Sequence, residues 1–256
     1  MSSNQAGSLS LQGVSLLTCR PEGMASRLVE PLQAAGAKVE NWPLQAIVPI
    51  TLSGAERQKL LNLDHYAKVI LVSPSAVQLF VELAEDYWPQ WPVGVEWFTV
   101  GAGSAEFLAR VGVQAHYPQQ GDRSEDLLAL PALQQVQGEK ILLVKGEGGR
   151  TQLIEQLSEA GAQVDPLVLY QRQPLGWSAA QLARHTDFDY LVLTNGEALQ
   201  VCPLEAATSH LSLVVPSERI AQLALVQGWQ RVINAQGAGA AAILHALCQA
   251  QTNRER

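Results

Sequence analysis

Six short stretches of this sequence combine small, polar and glycine residues in a way suited to holding an anion. They are TCRPEG (Thr18–Gly23), VSPSAV (Val72–Val77), VGAGSA (Val100–Ala105), VKGEGG (Val144–Gly149), LTNGEA (Leu193–Ala198) and VPSERI (Val215–Ile220). Each follows an apolar run and precedes a segment with helical spacing. A helix start presents unpaired N–H groups and about half a positive charge, so such a turn attracts anions without a basic side chain. Ser73, Ser75, Thr194, Asn195 and Ser217 can also cap the helices they precede, which is a purely structural role. Capping accounts comfortably for one or two such turns. Repetition over six points to a ligand with several negative arms.

Other chemistries fit less well. KGEGGR (Lys145–Arg150) lacks the Lys-Ser/Thr pair of a phosphate loop. VGAGSAEFL (Val100–Leu108) gives G-x-G-x-x-E, with Glu106 where a dinucleotide fingerprint needs a small residue for close helix packing. Cys19 beside Arg20 has the makings of a low-pKa thiolate at a helix start, but no histidine lies nearby in sequence. The histidines at 65, 116, 185, 210 and 245 show no H-x-x-x-H pairing, so no metal site is expected. Lys145 and Arg150 are available to meet carboxylates. The aromatic run YWPQWPVGVEW (Tyr87–Trp97) has no interleaved basic residues and reads as a packed loop, not a base-stacking surface.

The elements that must position these turns follow from periodicity. VSLLT, KVILVS, WFTVG, KILLVK, YLVLT, LSLVVP and RVINA are strand candidates, each followed by a turn and then a helical pattern. Alternation of this kind implies parallel sheets with helices on their faces. There is also an internal echo. Arg27–Val39 matches Gln152–Val164 at one constant offset, and extending it backward sets Arg20 opposite Lys145. KVILVSPSAVQLF then pairs with DYLVLTNGEALQV, and FTVGAGSAEFLARVGV with LVVPSERIAQLALVQGW. The fold class expected is α/β, with two similar lobes, each a parallel sheet flanked by helices. Gly36 and Gly161 fall just past matched helices, where a left-handed residue ends a helix cheaply. Two proline-bearing extended stretches, Val39–Ile50 and Val164–Pro174, are the natural connections between lobes.

The bulk properties narrow the partners. A 47% hydrophobic and 16% charged composition suits a globular chain with a real core, and a net charge of −7 argues against nucleic acid. Cys19, Cys202 and Cys248 fit no disulfide framework and suit a reducing compartment. No signal peptide or membrane-length apolar run is apparent, so a cytoplasmic protein without a membrane partner is expected.

With these turns in view, the sequence resembles the uroporphyrinogen-III synthase family. The likeness is carried by LLTCRPEG, LQAAGAKVENWPLQAIVPI, VILVSPSAVQLF, VGAGSAEFL, GDRSEDLLAL and, most tellingly, ILLVKGEGGRTQLIEQLSEAGAQVDPLVLYQR, which ends in a Val-x-x-Tyr-x-Arg-like pattern at Tyr170 and Arg172. The resemblance implies two lobes joined by a two-stranded extended linker, with residues 1–41 and 173–256 in the first lobe and 42–172 in the second. It implies closure of hydroxymethylbilane, a linear tetrapyrrole with eight carboxylates, to uroporphyrinogen III with inversion of ring D. No cofactor and no metal are implied, and a monomer is expected. Tyr170 matches the family's tyrosine and is the expected catalytic group, suited to protonating the departing hydroxyl. The expected substrate-binding residues are Arg20; Ser73, Pro74, Ser75 and Ala76; Gly101, Ala102 and Ser104; Lys145 and Gly146; Thr194, Asn195 and Gly196; and Ser217.

Such a substrate supplies its own electrophile and nucleophile, which explains the lack of a catalytic triad. The expected site is a cleft between amide-rich lobe edges. Ser104, Asn195 and the Glu218–Arg219 pair depart from the family's usual residues, and Glu218 would repel a polycarboxylate if it faced one. Two readings compete. A two-lobed intracellular small-anion binder or sensor would leave the bilane to close spontaneously to the I isomer. A nucleotide-dependent reductase would need VGAGSAEFL to hold a dinucleotide.

Overall fold

Each apolar run proposed as a strand is one in the computed structural model, which describes residues 10–119, 124–148, 151–206 and 209–254. The chain forms two compact units, Met1–Ala46 with Gln173–Arg256, and Ile47–Arg172.

The first unit holds a five-stranded sheet. Its strands are β1 (Ser15–Thr18), β2 (Lys38–Asn41), β9 (Tyr190–Val192), β10 (Ser212–Val215) and β11 (Val232–Asn234), in the order β11-β10-β9-β1-β2. All four pairings are parallel. Alternation along the strands divides the core. Leu17, Leu191, Leu213 and Val215 face one layer with α8 (Ala179–Arg184), α9 (Gly196–Gln200) and α10 (Glu218–Val226). Leu16, Tyr190, Val192 and Val214 face the other with α1 (Ser26–Ala34) and α11 (Ala240–Arg254). Strands covered on both faces read as continuous apolar runs, which is why YLV and SLVV show no alternation in sequence.

The second unit holds β3 (Gln45–Pro49), β4 (Lys68–Leu71), β5 (Glu96–Thr99), β6 (Ala115–His116), β7 (Lys140–Gly146) and β8 (Gln163–Pro174), in the order β3-β8-β7-β4-β5-β6. Val69, Leu71, Leu142 and Val144 pack with α2 (Gly54–Leu61), α3 (Pro74–Ala84) and α4 (Ala102–Arg110) on one face. Ile70, Phe98, Ile141 and Leu143 pack on the other against α7 (Gln152–Glu159) and the short helices α5 (Ser124–Leu128) and α6 (Pro131–Gln134). The aromatic run is packed as expected, with Trp91 5.5 Å from Trp97 and 6.3 Å from Phe80 between ring centres.

The linker is two-stranded. β3 and β8 are neighbours, and they run antiparallel: Ile50 N–H donates to Leu169 O, while Leu175 N–H donates to Leu44 O, each at 2.8 Å. The helices α1 and α7 both end on a glycine at positive φ, Gly36 at +96° and Gly161 at +89°, so the repeat preserves a left-handed helix stop. One turn differs from expectation. TCRPEG does not open directly into an α-helix; a short 3-10 turn, Glu22–Met24, intervenes before α1, because Pro21 and the turn behind it leave no continuous helical run.

Candidate functional site

The strand-to-helix turns gather at the carboxyl ends of parallel strands, where open α/β sheets bind ligands. Four of them share one geometry. The N-cap residues Ser73, Gly101, Asn195 and Ser217 have φ between −159° and −154° and ψ between 157° and 164°. Two lie on each unit, within the segments paired by the sequence echo.

The four turns differ in what they leave free. Ser73 Oγ accepts from Ala76 N–H at 3.0 Å, and Asn195 Oδ1 accepts from Ala198 N–H at 2.7 Å, so both are true caps. Ala76 is therefore engaged within the turn, and Pro74 carries no N–H, which leaves Ser75 as the unused donor at the start of α3. After Asn195, the Gly196 amide stands in the first turn, with Thr194 half-buried behind it. Gly101 has no side chain to cap α4, so Ala102 and Gly103, both exposed, keep their amides open. Ser104 is instead buried in the helix, 3% exposed. Ser217 makes no capping bond. Glu218 next to it turns sideways: its carboxylate accepts from Gln222 and Asn234, and those bonds hold it below the usual carboxylate range.

Arg20 is built into its turn. Its N–H donates to Asn41 Oδ1 and its carbonyl accepts from Asn41 Nδ2, both at 3.0 Å. Its guanidinium donates to Ala238 O at 2.8 Å, and burial followed by the charge of Arg27 lowers its pKa. Cys19 is no activated thiol. It is buried, and burial together with Cys202 pushes its pKa well above the ordinary value.

The structure draws three of the expected residues into one constellation. Tyr170 lies near the end of β8, 1% exposed, with its ring in the unit's core. Its hydroxyl is 2.9 Å from Ser73 Oγ and accepts from Arg172 Nη2 at 3.1 Å. The Arg172 guanidinium also lies over the ring, 5.3 Å from its centre. Gly146 completes the arrangement. β7 and β8 slip register between Lys145 and Gly146, setting Gly146 beside Tyr170, and a Cβ built there would stand 2.5 Å from Tyr170 Cζ. Lys145, just before, is half-buried and its ammonium has no partner among the described residues. Arg150 lies outside the described residues. The role of Arg172 was missed from sequence, although Tyr-x-Arg on a strand puts both side chains on one face.

No group of three metal-binding side chains occurs among the described residues, and no helix among them is long and apolar enough to cross a membrane.

The comparisons with known proteins agree with one another. A family model described as uroporphyrinogen-III synthase HemD matches residues 26–245. The uroporphyrinogen-III synthase of Salmonella typhimurium (strain LT2) is 34% identical over 245 residues, covering 91% of this chain and 100% of that protein. Its counterpart in Escherichia coli (strain K12) is 31% identical with the same coverage of both chains, 91% and 100%. A mutant uroporphyrinogen III synthase from the extreme thermophile Thermus thermophilus aligns structurally with a TM-score of 0.59 at 17% identity, covering 94% of this chain and 99% of that one. The synthetase from Helicobacter pylori 26695 aligns with a TM-score of 0.58 at 12% identity, covering 95% and 100%. At such identities the structural likeness bears on the fold alone.

Proposed function

Because this chain belongs to the uroporphyrinogen-III synthase family, we propose that it dehydrates and cyclises hydroxymethylbilane to uroporphyrinogen III, inverting ring D on the way. It is a cyclising lyase of tetrapyrrole and haem biosynthesis. The substrate carries its own leaving group and its own nucleophile, so the reaction asks for no cofactor. Loss of the hydroxyl gives an azafulvene, and an electron-rich pyrrole carbon attacks it. The protein decides which carbon does so. Holding a flexible chain in one attacking geometry is worth roughly 7–11 kcal/mol of barrier.

The observation that supports the residue assignment best is the set of four equivalent turns. Ser73, Gly101, Asn195 and Ser217 begin helices in the same extended cap conformation. The free amides after them, with Arg20 and Lys145, are the proposed grips for acetate and propionate arms. Such grips work in a protein of net charge −7 because helix-start dipoles act locally. Tyr170, with its hydroxyl 2.9 Å from that of Ser73, is proposed to assist hydroxide departure. The remaining assignments, a monomer in the cytoplasm acting on a small molecule without nucleic acid, follow the same reading.

The test is product analysis. Hydroxymethylbilane incubated with the protein yields the III isomer on this proposal. Recovery of only the spontaneous I isomer, at the rate seen in buffer, is the outcome expected of a non-catalytic anion binder and sinks it.

A further inference from the structure

We infer that the Ser73 hydroxyl, and not the buried Tyr170 hydroxyl, delivers the proton to the departing hydroxyl group, with Tyr170 and Arg172 as positioning residues behind it. This rests on the reaction proposed above and assigns its acid step.

Hydrogen-bond chemistry sets the direction of the chain. A guanidinium has donors and no acceptor, so Tyr170 Oη accepts in its 3.1 Å bond to Arg172 Nη2. The 2.9 Å contact between Ser73 Oγ and Tyr170 Oη then has two possible senses. If Ser73 donated, the phenol proton would have no acceptor among the described residues, inside a core where Tyr170 is 1% exposed. Such a group carries its full desolvation cost. If Tyr170 donates, the buried phenol proton is matched. Ser73 Oγ then accepts twice, from Tyr170 and from Ala76 N–H at 3.0 Å, and its own proton remains free. Ser73 is half-buried at the carboxyl end of β4, so this is the end of the chain that a ligand can reach. Accepting two bonds polarises its O–H, and the adjoining start of α3 favours negative charge on its oxygen.

The tyrosine is clamped for this role. Gly146 leaves no room for a Cβ, which would meet Tyr170 Cζ at 2.5 Å and Cε2 at 2.6 Å. Arg172 covers the ring, and Glu147 N–H donates to the Tyr170 carbonyl at 2.6 Å. A side chain so held is placed to support Ser73 and cannot swing out to a substrate.

In the acid step, the C–O bond of the hydroxymethyl group breaks with its electron pair going to oxygen, which takes the Ser73 proton and leaves as water. Ser73 is reprotonated by Tyr170, and the phenolate stands beside the Arg172 guanidinium. The pyrrole nitrogen loses its proton as the azafulvene forms, and that proton returns through Ser73 Oγ to restore Tyr170.

The test measures kcat, KM and isomer ratio on hydroxymethylbilane for Ser73→Gly, Tyr170→Phe, the double variant and Ser73→Thr. Glycine is tolerated at an N-cap, so Ser73→Gly removes the hydroxyl with little loss of helix stability. Each single variant is expected to lower kcat about 10²-fold with KM little changed. The double variant falls no further than the worse single one, since both act on one relay. Ser73→Thr restores most of the rate. A Ser73→Gly enzyme with wild-type kcat, or losses that multiply in the double variant, overturns the relay. Should Ser73→Gly not fold, Ser73→Cys reads the same step through its weaker bonding. A wild-type protein that makes no III isomer overturns the proposed function itself, a result that the variants cannot mimic.

Discussion

The two units share one strand order, β2-β1-β9-β10-β11 in the first and β8-β7-β4-β5-β6 in the second, but they solve the same positions with different chemistry. Ser15 pairs with Lys38 as Lys140 pairs with Gln163, so even the register repeats. At the amino end of the central strand, the second unit has Lys68 where the first has Tyr190. Lys68 is 4% exposed and bridges Glu139 at 2.6 Å and Glu96 at 2.9 Å. Tyr190 accepts a neutral bond from Gln251 at 3.0 Å. At the carboxyl end, the second unit sets Tyr170 behind the Ser73 cap, whereas Asn195 caps its helix with no such tyrosine against it among the described residues. Duplicated architecture thus preserves backbone geometry at the turns, while the buried Lys68 ion pairs and the Ser73–Tyr170 contact have no counterpart at the matching positions of the first unit among the described residues.

The contrast at the amino end gives the largest expected effect. Lys68→Met should cost about 3 kcal/mol, the low end for breaking a buried ion pair, because Glu96 is half-exposed and regains water. Glu139 Oε2 is buried with Lys68 as its only partner among the described residues, and loses it. Tyr190→Phe, the equivalent change in the other unit, removes a neutral hydrogen bond with Gln251 and should cost about 1 kcal/mol. Urea melts compare the two directly; equal losses would remove the asymmetry. The pH dependence separates them further. Burial pulls the Lys68 ammonium down, but Glu139 and Glu96 outweigh it and the pKa ends raised. A raised folded value means that its contribution is complete below the ordinary lysine range and is lost as pH rises through the folded pKa. The stability gap between wild type and Lys68→Met should therefore narrow in strongly alkaline buffer.

A smaller effect is expected at the carboxyl end. Gly146→Ala forces a Cβ into the Tyr170 ring, which is too buried to swing away, and should cost about 2 kcal/mol. Displacing the ring also breaks the Ser73–Tyr170 contact, so the rate of III-isomer formation should fall with it. Gly101 is the control. A Cβ there meets nothing within 4 Å, and its φ of −159° suits any residue. Gly101→Ser should stabilise α4 by a few tenths of a kcal/mol through a new cap. Thermal melts showing similar behaviour at both glycines would refute the close-packing account of Gly146.

Much of this was legible in the sequence because it is periodic. KVILVS and YLVLT read as buried strands because both faces of each sheet are covered, and Gly36 and Gly161 read as helix stops because only glycine takes a positive φ cheaply. What stayed hidden was long-range. Ser73 and Tyr170 meet across 97 residues, and Arg20 reaches the carbonyl of Ala238 across 218. No local pattern encodes such meetings. The fate of each turn was also unreadable, since capping by Ser73 and its absence at Ser217 depend on side-chain rotamers and not on residue type. Cys19 is discounted as a nucleophile in the sequence for want of a nearby histidine, and the structure adds a second reason, since its side chain is buried in the core.

The smallest effects test the turns themselves. Asn195 Oδ1 accepts from Ala198 N–H at 2.7 Å, so Asn195→Ala leaves that donor unmatched and should cost about 1 kcal/mol. Ser217 sits in the same backbone conformation but makes no such bond, so Ser217→Ala should cost no more than a few tenths. Because the two positions differ in the side-chain bond and hardly at all in φ and ψ, the difference between the variants isolates capping from backbone preference. If the turn amides grip carboxylates, a polycarboxylate ligand should still protect Ser217→Ala against heat by as much as it protects wild type. A loss of that protection without a loss of stability would show that the serine hydroxyl, and not the backbone, faces the ligand.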